Sequence, residues 1–309
     1  MDQNFTGELM TARIPWKSGS LWDRLKAQNA HGLETGYLRP IDTTVERIEA
    51  GDISFLVYVL ANILRKEEAK AQQGTTASDN PFLPYEQDLY VTDISETHLC
   101  LLNKFNVVDH HFLIVTREFE PQENWLTMAD FDALRKCLSE VDGLGYYNGG
   151  TVAGSSQPHK HLQVIPRLNE LAELPVEIAM TKAKVSGGNR WSPLLPFKHA
   201  IAKFPPQKQG FSGEVLTKLY MSRYLMLLNA VGIDTTDMDG VQTAPYNLLC
   251  TRQWMMLIPR SQEKYADISV NSLGFAGSLL VKNEEELAKL QEIGPMTLLE
   301  QVGYAQQDE

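Results

Sequence analysis

The stretch that decides the fold is Gly154–Pro166, GSSQPHKHLQVIP, where two histidines and a glutamine occupy every second position after a small, hydroxyl-rich turn. Successive side chains of a β-strand point to opposite faces, so the polar side chains would share one face and Leu162 and Val164 the other. The polar set is His159, His161 and Gln163. The pattern predicts a strand that is anchored in the core by its apolar face and lines a cleft with its polar face.

Three interpretations of this strand compete. HxH spacing lets two imidazoles converge on one metal ion, although a third ligand is needed and Gln163 would be a weak one. The two histidines could instead be hydrogen bonded within the fold and take no part in chemistry. In the third interpretation, the preceding segment GGTVAGSS brings glycine backbone and the amides and hydroxyls of Ser155 and Ser156 close to phosphate oxygens.

The third interpretation makes one imidazole a nucleophile. An imidazole with an unperturbed pKa of about 6.5 is largely neutral at physiological pH and can attack phosphorus. The GxxxxGKS spacing of a P-loop does not occur at this turn, which removes the commonest phosphate-binding motif. The residues therefore favour a phosphate-sized pocket with a nucleophilic histidine, and they leave the other two interpretations open.

The segments before this strand predict a hairpin and a helix. HLCLLNKFNVV and HFLIVTREFE are β-rich and separated by a short turn, which indicates an antiparallel hairpin, with His110 and His111 as structural residues at its turn. In the helix that follows, Thr127 and Asp130 resemble a capping box, and Gly143 is expected as the C-terminal cap.

The other segments predict further hairpins and helices. EVLTKLYMSRYLMLLNAVG predicts a long helix, YNLLCTR and WMMLIPR a second hairpin, and NEEELAKLQEIG a closing helix capped by Asn283. ISFLVYVLANIL is compatible with a strand or a helix, and the polar run RKEEAKAQQGTTASDN is expected to form an exposed loop. Hairpins and helices without regular alternation indicate an α+β fold rather than a doubly wound parallel sheet.

Composition argues against several classes of protein. Of the 309 residues, 43% are hydrophobic and 22% charged, as in an ordinary globular protein. The formal net charge of -11 disfavours a protein that grips long nucleic acid. No apolar run approaches the ~18 residues of a membrane span, and the N-terminus lacks a signal-peptide pattern, so we expect a cytoplasmic protein with no membrane partner. The three cysteines are widely spaced and are expected to be buried thiols.

Four motifs, in order along the chain, carry a resemblance to a known family. They are LLNKFNVVDHHFLIVTREFE, YNGGTVAGSSQPHKHLQ, YNLLCTRQWMMLIPR and NSLGFAGSLLVK. HxHxQ after a Gly-Ser turn resembles the nucleotidylyl-transferring branch of the histidine triad superfamily. Within that branch, the four motifs together resemble ATP adenylyltransferase, also called diadenosine tetraphosphate (Ap4A) phosphorylase.

The resemblance implies an α+β fold, with a histidine triad-like antiparallel sheet and flanking helices, duplicated or extended by a C-terminal segment. It also implies an N-terminal catalytic region over residues 1–190 and a C-terminal ATP adenylyltransferase region over residues 191–309 packed against it.

The resemblance further implies a two-step reaction at the histidine strand. His161 matches the family's nucleophile, which attacks the adenylyl phosphorus and forms a covalent adenylyl-histidine while a nucleoside triphosphate leaves. Phosphate then attacks the intermediate, so that Ap4A and phosphate give ATP and ADP, and the reverse adenylyl transfer is implied as well. Gln163 matches a donor to a non-bridging oxygen, and His159 is expected to orient the turn or His161.

Further positions match substrate-contacting residues of the family. They are Lys66, Asn103, Lys104, Asn148, Gly154, Ser155, Ser156, Gln157, Asn271, Ser272 and Lys282. Lys66 lies in the charged run RKEEAK, where a solvated lysine is equally expected. Leu273 and Ser278 depart from the hydroxyl and the larger apolar residue of the family's pattern.

The implied partners are small molecules, namely Ap4A, ATP, ADP and phosphate, without nucleic acid. No metal ion is expected on protein side chains, whereas Mg²⁺ or Mn²⁺ is expected to accompany the nucleotide phosphates, because metals offset charge in phosphoryl transfer. We expect a monomer, since this branch can carry its second half in the same chain. Two alternatives stay open: a hexose-1-phosphate uridylyltransferase with the same two-step mechanism, and a catalytically inert nucleotide-binding protein on the same scaffold.

Overall fold

The structure is a computed structural model that describes residues 13–61, 80–186, 189–205 and 211–306. Its helices are α1 (Leu21–Thr35), α2 (Met128–Glu140), α3 (Glu177–Thr181), α4 (Gly213–Ala230), α5 (Ser272–Phe275), α6 (Glu284–Ile293) and α7 (Pro295–Val302). Its strands are β1 (Thr43–Ala50), β2 (Ile53–Leu60), β3 (Tyr90–Asp93), β4 (His98–Leu102), β5 (Phe112–Thr116), β6 (Gly143–Asn148), β7 (His161–Pro166), β8 (Lys184–Ser186), β9 (Asn189–Trp191), β10 (Ala200–Lys203), β11 (Tyr246–Cys250), β12 (Trp254–Pro259), β13 (Lys264–Tyr265), β14 (Ile268–Ser269) and β15 (Ser278–Val281).

A ten-stranded antiparallel sheet forms the centre of the fold, in the order β3-β4-β5-β7-β6-β11-β12-β10-β9-β8. The strand HLQVIP is β7, and it lies between β5 and β6. β6 also pairs with β11, so the sheet continues from the N-terminal half of the chain into the C-terminal half. The predicted α+β fold, with a histidine triad-like antiparallel sheet extended by a C-terminal segment, is confirmed. The division into regions at residues 190 and 191 stays a prediction.

Several elements lie where local sequence placed them. Both predicted hairpins are present, because β4 pairs with β5 and β11 pairs with β12. The long helix is α4, and the closing helix is α6, where the Asn283 side chain accepts from the Glu286 N–H as a cap. Within the apolar run ISFLVYVLANIL, Ile53–Leu60 forms β2, which pairs with β1 and β15 in a separate three-stranded sheet. The run RKEEAKAQQGTTASD lies outside the described residues.

Helix α2 begins as predicted but ends earlier. The Thr127 side chain accepts from the Asp130 N–H, and the Asp130 carboxylate accepts from the Thr127 N–H, so the capping box is confirmed. The expectation that Gly143 caps this helix is wrong, since α2 ends at Glu140 and Gly143 is the first residue of β6. A Cβ at Gly143 would lie 2.5 Å from the carbonyl oxygen of Ile165, so the close approach of β7 requires glycine there.

The two faces of the main sheet pack against different layers. On one face, Leu162 and Val164 join a core with Phe131 of α2 and Tyr224 of α4. On the other face, Ile165 joins a core built with the three-stranded sheet, α3, α6 and α7. Burying an aliphatic side chain contributes about 1.5–3 kcal/mol. The apolar residues of β7 therefore anchor it firmly between the layers, and its polar side chains share the face of Ile165.

Two further expectations concern membranes and thiols. In the part of the chain that the structure describes, no helix is long and apolar enough to cross a membrane. Cys100, Cys137 and Cys250 are free and buried, as expected. Burial raises the pKa of each thiol above its ordinary value, so these cysteines stay protonated and unreactive at neutral pH.

Candidate active site

The polar side chains of the histidine motif do not all belong to one strand. β7 begins at His161, and His159 precedes it in an isolated bridge to Pro121. The side chains of His161 and Gln163 approach each other on one face, as the alternation predicts. The prediction of a shared face thus describes His161 and Gln163, whereas His159 turns to other partners.

The ring of His161 has a defined tautomer. Its Nδ1 lies 2.8 Å from the carbonyl oxygen of His159, and because a carbonyl can only accept, Nδ1 carries the proton. Burial lowers the pKa of His161 to about 4, although the hydrogen bond to the His159 carbonyl acts in the opposite direction. At neutral pH the ring is therefore uncharged, with a lone pair on Nε2 that is free to attack an electrophile.

The amide of Gln163 has a defined orientation. Its Oε1 accepts from Nε2 of His111 at 3.0 Å and from the hydroxyl of Tyr146 at 2.9 Å. Asn103 Nδ2 lies 3.0 Å from Nδ1 of His111, so the neutral His111 ring accepts at Nδ1 and donates at Nε2. Burial lowers the pKa of His111 to about 4, which keeps this ring neutral. The N–H groups of Gln163 must then be directed towards Nε2 of His161, 3.5 Å away.

His111 is a site residue that the sequence did not reveal. It was assigned to the hairpin turn as a structural histidine, yet its ring contacts Gln163 directly. The available signal was its place just before β5, which pairs with β7 and sets Leu113 opposite Gln163. Asn103 hydrogen bonds His111, and its predicted contact with substrate stays a prediction.

Gln122 separates two strands at the start of β7. The paired ladder of β6 and β7 stops at Tyr146 opposite Gln163. Beyond it, the Gln122 side chain accepts from the His161 N–H at 2.9 Å and donates to the carbonyl oxygen of Asn148 at 2.9 Å. One side-chain amide thus takes the place of a backbone hydrogen-bond pair between β6 and β7, and the two strands separate at His161.

Both ring nitrogens of His159 are occupied. Its Nε2 lies 2.8 Å from the carbonyl oxygen of Thr116 and 3.1 Å from that of Glu118, so this nitrogen donates. Burial lowers the pKa of His159, and the neutral ring then accepts at Nδ1 from Asn80 Nδ2, 3.0 Å away. His159 therefore fixes the backbone whose carbonyl holds His161, and it presents no free nitrogen.

Two phenylalanines enclose the histidines. The ring of Phe82 lies 5.3 Å from the ring of His161 and 5.6 Å from that of His159, measured between centroids. The exposed ring of Phe119 lies 5.4 Å from His159 on an edge-to-face geometry. These contacts exclude water from the two imidazoles, which is consistent with their lowered pKa values.

The Gly-Ser turn packs directly against the C-terminal part of the chain. Gly150 and Gly154 both have a φ of 86°, in the region that favours glycine. A Cβ at Gly154 would lie 2.7 Å from the carbonyl oxygen of Val270 and 2.9 Å from Asn271, so a larger residue would not fit. Ser156 at the end of the turn is exposed. Ser156 is therefore open to a ligand, whereas the buried Ser155 donates its hydroxyl to the Gln157 carbonyl oxygen within the turn.

Three predicted contact residues meet behind this turn. The Oδ1 of Asn148 accepts from the backbone N–H of Ser272 at 3.0 Å and from its hydroxyl at 2.7 Å. Asn271 is the cap of α5, where its side chain accepts from the Leu273 N–H. The structure thus brings Asn148, Asn271 and Ser272 together with the Gly-Ser turn, although they come from distant parts of the sequence.

Two of the predicted lysines form ion pairs with carboxylates. Lys104 Nζ lies 2.5 Å from a carboxylate oxygen of Glu86. Lys282 Nζ lies 2.8 Å from a carboxylate oxygen of Glu286, and its side chain is half exposed. Lys66 lies outside the described residues. An ammonium group has three N–H donors, so each pairing leaves donors for a phosphate, and the substrate-contacting role of the three lysines stays a prediction.

The described ranges do not contain a metal centre. No group of three or more histidine, cysteine, aspartate or glutamate side chains within them could hold a metal ion. Both ring nitrogens of His159 and one of His161 are hydrogen bonded to protein groups. Nε2 of His161 is therefore the ring nitrogen that remains for chemistry.

Comparison with known families agrees with this geometry. The Ap4A phosphorylase N-terminal domain matches residues 11–182, and the ATP adenylyltransferase C-terminal domain matches residues 193–305. The chain belongs to the Ap4A phosphorylase family. The N-terminal domain match contains the histidine strand and the Gly-Ser turn, and the C-terminal domain match contains Asn271 and Ser272.

Relatives of the Ap4A phosphorylase family match over most of the chain. Diadenosine 5',5'''-P1,P4-tetraphosphate phosphorylase 2 of Saccharomyces cerevisiae is 30% identical over 248 residues, which cover 74% of this chain and 76% of the relative. The crystal structure of yeast Ap4A phosphorylase Apa2 superposes with a TM-score of 0.76 at 23% identity, over 94% of this chain and 99% of that chain. Its complex with AMP gives a TM-score of 0.74 at 25% identity, with the same coverage.

Proposed function

We propose that the chain catalyses phosphorolysis of Ap4A to ATP and ADP, and the reverse adenylyl transfer, through a covalent adenylyl group on Nε2 of His161. The observation that carries this proposal is the neutral His161 ring, whose lone pair on Nε2 is directed to the amide of Gln163. Membership of the Ap4A phosphorylase family and the name of the yeast relative support Ap4A as substrate.

In the first step, Nε2 of His161 attacks the phosphorus of one adenylyl group. The N–P bond forms while the bond from that phosphorus to the bridging oxygen breaks, and the oxygen leaves with the electron pair as ATP. The imidazole gains positive charge, and the hydrogen bond from Nδ1 to the His159 carbonyl stabilises it. The N–H groups of Gln163 would donate to a non-bridging oxygen of the phosphorus as it reacts.

In the second step, an oxygen of inorganic phosphate attacks the adenylyl phosphorus. The new P–O bond forms as the N–P bond breaks, which releases ADP and returns the lone pair to Nε2 of His161. The amide of Gln163 can hold the phosphoryl oxygen but cannot act as a base for water. The site therefore favours transfer to phosphate over hydrolysis.

The turn would bind the phosphates that do not react. Ser156 is exposed and Gln157 is half-buried, so their side chains are the groups that the turn would offer, whereas the N–H of Gly154 donates to Thr151 within the turn. We further propose that Mg²⁺ or Mn²⁺ accompanies these phosphates, since a divalent ion offsets their charge in phosphoryl transfer. Removal of divalent ions with a chelator should then lower turnover, and added Mg²⁺ should restore it.

The assembly and location follow from the same proposal. Both family segments lie in one chain, which supports a monomer, and light scattering after size-exclusion chromatography measures its mass directly. Small soluble nucleotides as substrates support a cytoplasmic location, and cell fractionation would test it.

The decisive experiment is an incubation of the purified protein with Ap4A and phosphate, followed by chromatography of the nucleotides. We expect ATP and ADP in equal amounts, and we expect His161→Ala to lower the rate by about 10⁴-fold or more, as when other nucleophiles are removed. His31→Ala is the control, because His31 lies on α1 beside Asp88 and is largely exposed.

Other outcomes would identify the alternatives. Turnover of UDP-glucose with galactose 1-phosphate, but not of Ap4A, would assign the chain to hexose-1-phosphate uridylyl transfer. Tight binding of Ap4A without products would indicate a catalytically inert nucleotide-binding protein. Equal rates for the wild type and His161→Ala would refute the covalent mechanism.

A further inference from the structure

A buried arginine lies behind the Gly-Ser turn. Arg260 is 1% exposed, and its side chain makes five hydrogen bonds, all to neutral acceptors. Four of these acceptors are carbonyl oxygens, of Val270, Gln262, Glu263 and Val302, and the fifth is Oδ1 of Asn247 at 2.7 Å. Burial lowers the pKa of Arg260 to about 10, so it remains charged at neutral pH. No carboxylate pairs with it among the described residues.

Arg260 determines how the amide of Asn247 is oriented. A guanidinium group can only donate, so the Asn247 atom that it contacts is the amide oxygen. The nitrogen of the same amide then lies on the other side. It donates towards Oδ1 of Asn148 at 2.9 Å and the carbonyl oxygen of Ala153 at 2.8 Å, and the Ser272 hydroxyl is 3.0 Å away.

Asn247 in turn determines how Asn148 is oriented. The Oδ1 of Asn148 accepts from Asn247 Nδ2 and from the N–H and hydroxyl of Ser272. Three donors on one side of this amide place its nitrogen on the other side. The Nδ2 of Asn148 has no hydrogen-bond partner among the described residues. It is also not among the polar atoms that are fully enclosed by protein without a partner. It is therefore available to a ligand beside the Gly-Ser turn.

We propose that Arg260 and Asn247 are positioning residues that hold the Asn148 amide with its N–H groups directed at the substrate. Arg260 orients the amide of Asn247, and Asn247 in turn orients the amide of Asn148, whose N–H groups are the donors. The same Asn247 nitrogen donates to the Ala153 carbonyl in the Gly-Ser turn. One amide therefore positions both the turn and the Asn148 N–H groups beside it. This inference rests on the proposed function, because the substrate is the nucleotide that reacts at His161.

Asn247→Asp is the sharpest test. The aspartate keeps an oxygen opposite Arg260 and supplies the carboxylate that this arginine lacks, so we expect the variant to fold. Its second oxygen lies where the amide nitrogen stood and opposes the oxygens of Asn148 and Ala153. We expect the KM for Ap4A to rise by about 10- to 100-fold, the scale of a lost hydrogen bond to a charged group, with a smaller change in kcat. Asn148→Asp, which removes the donor itself, should show the same division between KM and kcat.

Asn229→Asp is the matched control, since Asn229 lies on α4 and donates to the Leu225 carbonyl on an exposed surface. It should leave KM and kcat unchanged. A merely structural role for Asn247 would instead lower the melting temperature and kcat together, with KM unchanged, and that result would overturn the proposal. If Asn247→Asp does not fold, Asn247→Ala removes the donor without adding charge, and a wild-type KM in that variant would overturn it equally.

The two proposals fail separately. A wild-type protein that does not turn over Ap4A would refute the proposed function. Calorimetric titration with AMP then still compares Asn247→Asp with the wild type, and equal affinities would refute the positioning role.

Discussion

The side-chain nitrogen of Gln163 lies 3.5 Å from Nε2 of His161. Because Oε1 of Gln163 accepts from His111 and Tyr146, the N–H groups of this amide are directed at the ring nitrogen that carries the lone pair. An oxygen on a phosphorus bonded to that nitrogen would lie within reach of the same N–H groups. The proposed nucleophile and its proposed hydrogen-bond donor are thus two side chains that lie two residues apart on one strand.

Gln163→Glu should lower kcat strongly and KM little. A carboxylate cannot donate to the phosphoryl oxygen, and losing one such donor lowers kcat by about 10²- to 10³-fold in related chemistry. Steady-state rates of ATP and ADP formation measure the effect. Gln253→Glu makes the same chemical change on an exposed turn between β11 and β12 and should keep the wild-type kcat. A wild-type kcat in Gln163→Glu would show that this amide does not act on the transition state.

Tyr146→Phe should lower kcat by about 2- to 10-fold, the value of one neutral hydrogen bond. The hydroxyl is one of two donors that orient Gln163, and His111 remains as the other. In a Gln163→Ala background the same change should have no effect on kcat, because Tyr146 acts only through that amide. Tyr220→Phe is the control, since Tyr220 lies on α4 and stacks on Phe204 rather than on a histidine or on Gln163. Additive effects of Tyr146→Phe and Gln163→Ala would contradict this argument.

The sequence could predict the pairing of His161 with Gln163, because the period of a β-strand depends only on backbone geometry. It could not predict His111, because that contact depends on the register in which β5 pairs with β7. Asn247 is harder still, since it reaches Asn148 across 99 positions of sequence. Motifs along one strand are therefore predictable, whereas the side chains that orient them come from neighbouring strands.

Two residues outside the histidine strand show the same limit of sequence-based prediction. Lys104 matches a substrate lysine of the family, and no sequence pattern indicated that it also pairs with Glu86, 18 positions earlier. Gly143 matched a helix cap and turned out to be required by a neighbouring strand. In each case the residue type limited the possible roles of the residue, but more than one structural role can require the same residue type. The contact that decides between them is tertiary.

The first step should keep its rate as the pH falls from 6.5 towards 4. Burial lowers the pKa of His161 from its ordinary value of 6.5 to about 4, so Nε2 keeps its lone pair until the pH approaches 4. Release of ATP from Ap4A in a single turnover without phosphate measures this step alone. A rate that declines with a midpoint near the ordinary histidine pKa of 6.5 would contradict the buried, neutral ring.

The lowered pKa of His161 also makes the free energy of unfolding depend on pH. Between the ordinary histidine pKa of 6.5 and the folded-state pKa of about 4, the unfolded chain binds a proton at His161 that the folded chain does not. The free energy of unfolding should therefore fall as the pH falls through this interval. Fluorescence at each pH separates this loss of folded protein from the loss of the lone pair.

Lys160 lies between the two histidines and points to the opposite face of the sheet, where it is fully buried. Its Nζ lies 2.8 Å from Oδ2 of Asp130, 2.8 Å from the Trp125 carbonyl and 3.1 Å from Glu120. Burial alone would raise the pKa of Asp130, but the hydrogen bond with His98 and the charge of Lys160 hold it well below its usual range. The ion pair therefore ties the histidine motif to the start of α2.

Lys160→Met should lower the free energy of unfolding by about 3–5 kcal/mol, because it leaves the Asp130 carboxylate buried without its cation. Combining it with Asp130→Asn should recover part of the loss, since the double variant buries no uncompensated charge. Urea denaturation at neutral pH measures both. Lys218→Met is the control, because Lys218 pairs with Glu214 on an exposed helix surface and its loss should leave the urea midpoint unchanged. If Lys160→Met unfolds at the wild-type midpoint, the pair does not stabilise the fold, and any loss of turnover would then come from a shift of His161 itself.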